Sequence, residues 1–126
     1  MRARPLFALV ASLLTVAALA TPASAARGRT HLVKVGPGLT YTPETVDIRV
    51  GDTVKWVFLG PEFHSVRGGL DPSKPCKSAW GVDSGPRHNG QTYSYTFTGN
   101  PTRRIVQSDH DGQCYQGMIG YVNVGE

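Results

Sequence analysis

The chain has 126 residues, of which 17% are charged, and 13 basic side chains stand against 9 acidic ones for a net charge of +4. Two of the basic residues, Arg2 and Arg4, lie in an N-terminal leader, and without them the excess falls to +2. With no basic run or aromatic ladder, that balance excludes a nucleic-acid partner, and the length fits one domain.

The leader comes first. "MRAR" is a basic start, "PLFALVASLLTVAALA" an apolar run, and "TPASA" ends in small residues at Ala23 and Ala25. This pattern predicts a secretory signal peptide over residues 1–25, cleaved after Ala25. The apolar run is short and no second one follows, so no transmembrane segment is expected after cleavage. The location would then be secreted or periplasmic. Residues 26–31 are polar and read as a flexible N-terminus, with His31 structural or solvated. The domain proper is expected over 32–126.

Strands follow. "HLVKV" is the first, closed by "GPG". "ETVDIRV" alternates Val46, Ile48 and Val50 against Thr45, Asp47 and Arg49. After the turn at "GD", "TVKWVF" alternates Val54, Trp56 and Phe58 against Thr53, Lys55 and Val57. Residues 67–90 are rich in Gly, Pro and Ser and read as one long loop, with room for a short helix or turn. "QTYSYTF", "RRIVQ" and "MIGYVNV" complete the set. Period-two alternation with Gly/Pro punctuation predicts an all-β sandwich, with Trp56 and Tyr95 in its core. No segment carries a helical period. In an oxidising compartment the even pair Cys76 and Cys114 reads as a disulfide. It would staple the long loop to the segment 104–124, where His110, Cys114 and Met118 fall close together.

"YTPETVDIRVGDTVKWVF" with His64 in "HSV", then "DSG", "GQTYSYTF" and "GMIGYVNV", resembles the cupredoxins, the plastocyanin/azurin family of blue copper proteins. The resemblance covers roughly residues 32–124. It implies a Greek-key antiparallel β-sandwich, an electron carrier and not an enzyme, and one copper ion held by two histidines, a cysteine thiolate and a methionine. Imidazole suits both copper oxidation states, thiolate favours Cu(I), and a thioether tunes the potential.

Carried residue by residue, the resemblance makes His64 the first histidine and Met118 the axial methionine. Two registers place the rest. In the first, His110 is the second histidine and Gln107 stands in the cysteine slot. In the second, which resembles the plant phytocyanins, Cys114 is the disulfide partner of Cys76, Gln113 replaces the histidine and Ser108 replaces the ligand cysteine. The sequence favours the first because it keeps a histidine. Both lack the thiolate, unless a reduced Cys114 serves out of order. Gln107 or Gln113 would add an amide oxygen, and His88 is the reserve ligand.

The expected metal set is therefore His64, His110 and Met118, with Gln107, Gln113, Cys114 and His88 behind them. The aspartates lack the spacing of a calcium loop. Two functions follow: an exported copper-binding, copper-delivering or electron-carrying monomer that meets a redox or copper-trafficking protein, or a metal-free interaction or structural module. No nucleophile–base pair supports an enzyme.

Overall fold

The computed structural model describes residues 16–20, 27–69, 76 and 78–126. The expected leader lies largely outside them, and its cleavage point wholly so. Among the described residues no helix is long and apolar enough to cross a membrane.

Among the described residues nine strands form two sheets: β1 (Thr30–Val35), β2 (Tyr41–Thr42), β3 (Thr45–Arg49), β4 (Thr53–Phe58), β5 (Arg67–Gly69), β6 (Ser78–Asp83), β7 (Thr92–Thr96), β8 (Thr102–Gln107) and β9 (Ile119–Gly125). One sheet has the order β2-β1-β4-β7 and the other β3-β9-β8-β5-β6. The alternating segments became strands because one face of each is apolar. Val33, Val35, Val54, Trp56 and Phe58 meet Val46, Ile48, Val106, Val122 and Val124 across the sandwich. Each fully buried side chain of this kind contributes about 1.5–3 kcal/mol.

Two expectations needed correction. The sandwich is not purely antiparallel, since β1/β4 and β3/β9 run parallel. The chain leaves β1, passes through β3 in the other sheet and returns as β4 beside β1, so both strands point the same way. The stretch 67–90 is also more than a loop, because β5 and β6 lie in it. Register shifts around Gly68 break their ladder and erase the alternation that marks a strand in sequence. Among the described residues a short 3-10 helix at His110–Gln116 adds the one helical element, with positive φ at Asp111 and Gly112 kinking it.

Strand β4 sets the two poles of the sandwich. Asp52 precedes it at one end, and the segment carrying His64 follows it at the other. The connection from β8 to β9, residues 108–118, arrives at the His64 pole.

Candidate functional site

His64 enters the site from an isolated bridge. Its N–H donates to Arg87 O at 3.0 Å, and Arg87 N–H donates back to His64 O at 2.8 Å. The imidazole is fully buried. From the β8–β9 connection, Ser108 and Gln113 come to meet it, and both are buried. His64 Nδ1 lies 2.9 Å from Gln113 Oε1, and Ser108 Oγ donates to the same oxygen at 2.6 Å. Gln113 Nε2 donates to Phe63 O at 2.8 Å. Ser65 N–H donates to Ser108 Oγ at 2.9 Å.

These bonds assign the protons. Because the Gln113 amide nitrogen is spent on a carbonyl, its oxygen is the acceptor for the other two groups. His64 Nδ1 therefore carries the hydrogen, and the lone pair sits on Nε2. That nitrogen is buried with no partner among the described residues. It lies against Gly36, where a Cβ would stand 3.0 Å away and where φ of +73° already requires glycine.

Met118 is fully buried and belongs to the hydrophobic core. Its N–H donates to Gln113 O at 3.1 Å, and its carbonyl accepts from Ser108 N–H at 3.2 Å. The backbone of Met118 thus closes the connection that holds Ser108 and Gln113.

The other candidates lie elsewhere. Cys114 is bonded to Cys76, as the pairing of the two cysteines predicts. Gln107 sits on the face of β8 opposite the core residue Val106, because strand side chains alternate. Its Oε1 accepts from Cys76 N–H at 2.9 Å, and its Nε2 has no partner among the described residues. The disulfide and Gln107 therefore share the outer side of the sheet. His110 is partly exposed, with Nε2 3.1 Å from Asp111 Oδ2 and its ring 5.8 Å from that of Phe63. His88 is exposed, with its ring 5.6 Å from that of Phe63. No hydrogen bond or ring contact joins either of them to His64 among the described residues.

A charged clamp braces this pole from outside. Asp109 accepts from Ser65 Oγ at 2.7 Å and from the Arg67 guanidinium, which also pairs with Asp83 at 3.4 Å. Burial pushes the Asp109 carboxyl up, but its bonds to Arg67 and Ser65 outweigh that and leave it below the ordinary range. Tyr41 donates to Ser65 O at 2.6 Å, and burial, then the Asp109 charge, raise its hydroxyl well above the usual value. Sequence reasoning missed Ser65, Phe63 and the clamp. No local signal marks them, since the Ser65 N–H and Phe63 O partners stand 43 and 50 positions away in the chain and Asp109 stands 42 from Arg67.

These residues do not fit a blue copper group. Both cysteines are consumed in the disulfide, so there is no thiolate. One imidazole is present, and its loop-facing nitrogen is protonated toward an amide. Among the described residues no group of three or more His, Cys, Asp or Glu side chains converges to hold a metal ion.

No protein-family model matches the chain, and no curated protein does. Solved structures do. A purple cupredoxin from Nitrosopumilus maritimus aligns at TM-score 0.62 and 19% identity, over 75% of this chain and 98% of that one. A methionine-to-glutamine mutant of amicyanin with Cu(I) aligns at 0.58 and 21%, over 76% and 82%. A mutant plastocyanin of fern aligns at 0.60 and 14%, over 75% and 100%. The chain has a cupredoxin fold.

Proposed function

We propose that this cupredoxin-fold chain is an exported binding module whose loop pole is closed by a hydrogen-bonded lock in place of a copper cage. The observation that carries the reading is the double acceptance at Gln113 Oε1, from His64 Nδ1 and Ser108 Oγ. An amide fulfils at this point the role that a metal ion would otherwise fill, tying three segments together with neutral groups. Buried polar groups that are mutually satisfied stabilise and specify a local structure. The N-terminal leader supports export, and the domain expected over 32–126 extends back to Thr30, where β1 begins. Exposed Phe63 and Tyr115, with His88 and His110, make the same pole the face for a protein partner.

Copper carriage is the second reading, favoured by the family of the matching folds and by His64 Nε2, which has no partner among the described residues. It would use His64, His110 and Met118. Titration of the disulfide-bonded chain with Cu(I) and Cu(II) separates the two. The lock predicts no stoichiometric binding. One equivalent of copper that is lost in His64→Ala overturns it in favour of copper carriage. The double variant Ser108→Cys/Gln113→His supplies a thiolate and an imidazole at the two positions facing His64. It should gain one copper with intense visible absorption, the mark of Cu–thiolate bonding. A variant with the native disulfide, shown by peptide mapping, that still binds no copper would remove Ser108 and Gln113 from the ligand stations.

A further inference from the structure

Four strands form the edges of the two sheets: β2 and β7 in one, β3 and β6 in the other. An open edge is a row of unpaired N–H and C=O groups, which folded chains blunt with short strands, charges or bulges. Three of these edges carry such a device. β2 is two residues long and stops at Pro43. β3 exposes Asp47 and Arg49. β6 meets β5 through register shifts. β7 has none of them. It is a regularly paired strand of five residues without charge, proline or glycine.

Its outward groups can be named. Phe97 N–H donates to Asp52 O, and Phe58 N–H donates to Gln91 O. Bonded pairs alternate along an antiparallel ladder, so Tyr93 and Tyr95 bond inward to Trp56 and Val54, their partners in register. The N–H and C=O groups of Thr92, Ser94 and Thr96 therefore point away from β4. All three residues are exposed. No backbone group of another described residue outside the ladder bonds to them.

We propose that β7 is the docking edge for a second copy of this chain, by antiparallel β7–β7 pairing about a twofold axis at Ser94. The segment Thr-Tyr-Ser-Tyr-Thr reads the same in both directions. In a twofold interface residue i meets j and j meets i. Thr92 then faces Thr96, Tyr93 faces Tyr95, and Ser94 faces its own copy. β-Branched and aromatic cross-strand pairs are favourable. No like charges meet, whereas β3 paired to itself in this way would set Asp47 against Asp47. Tyr93 and Tyr95, half-buried against the core, gain cover from the partner's rings. The two four-stranded sheets become one of eight strands. A single strand edge is a small interface, so the dimer belongs with transient associations and departs from the monomer expected from sequence.

Sedimentation velocity on the disulfide-bonded chain from about 1 µM to about 1 mM spans the affinities of such contacts. The dimer fraction should rise with concentration. Hydrogen exchange at Thr92, Ser94 and Thr96 should slow in parallel, while the rest of the chain is unchanged. Ser94→Pro removes an outward N–H and leaves the β4 ladder intact; it should abolish the dimer. Ser94→Lys, which puts like charges on the axis and keeps the backbone donor, should weaken it at least tenfold even if the proline variant fails to fold. A monomer at every concentration overturns the proposal, including one that binds an added Thr-Tyr-Ser-Tyr-Thr peptide, which would assign the edge to a different chain. A dimer that Ser94→Lys leaves unchanged overturns it equally.

Discussion

The two poles of the sandwich are each organised by one acceptor side chain, and the two acceptors differ in kind. At the β4 start, the Asp52 carboxylate accepts from Arg29 N–H at 2.7 Å, Arg49 N–H at 3.1 Å and His31 Nε2 at 2.8 Å. The backbone bonds from Arg49 and Arg29, then the His31 bond, lower its pKa to about 2. At the other pole the neutral Gln113 amide binds His64, Ser108 and Phe63 O. Partners explain the choice, since both side chains are buried. The Asp52 charge is met by two backbone N–H donors and a titratable imidazole. At the other pole, beside His64, Ser108 and Met118, no cation is at hand among the described residues, and an unpaired carboxylate there would carry a heavy desolvation cost. A neutral amide, with all its bonds made, escapes it.

The disulfide breaks the comparison most strongly. It closes a loop of 38 residues beside Gln113. In the chain-entropy model, loss of such a closure costs about 4 kcal/mol. Cys76→Ser/Cys114→Ser should show that deficit in urea unfolding. Hydrogen exchange should accelerate at Ser108 and Gln113 and stay unchanged at Arg49 and Thr53.

Gln113→Ala comes next. It leaves His64 Nδ1, Ser108 Oγ and Phe63 O without their shared partner, and each buried orphan costs about 1–3 kcal/mol. Relaxation and water entry will recover part of this, so a loss of about 3 kcal/mol is expected by the same measurement. A loss below about 1 kcal/mol would show that the lock is not what holds this pole.

The smallest effect is at Asp52. Its carboxyl has a lower pKa in the folded chain than its ordinary value of 3.8, so its stabilising share is full above pH 3.8. That share fades as pH falls toward about 2. Asp52→Asn should lower Tm modestly at neutral pH, and the gap from the parent chain should close between pH 4 and pH 2. A gap of constant size across that window would mean that the carboxylate's charge is not what binds Arg29, Arg49 and His31.

Much of the fold was legible along the chain. "TVKWVF" and "MIGYVNV" announce β4 and β9 because alternation with period two is a local property, set by which face each residue presents. The pairing of Cys76 with Cys114 was legible too, since a chain of this kind has only two cysteines to join. β5 and β6 were not, because their pairing is imposed by β8 and broken by bulges. Residues 108–118 were legible in part. Their composition pointed to a cluster with His64, and both registers of the loop stayed open.

What the sequence by itself determined is the sandwich and its core. Only the tertiary structure decided which loop residues face His64. Asp111 and Gly112, with φ of 47° and 70°, turn the backbone between His110 and Gln113. That turn sends the histidine toward Phe63 and the surface and the glutamine inward. A loop has no period from which such a turn can be read, and its direction is set by partners far away in the chain.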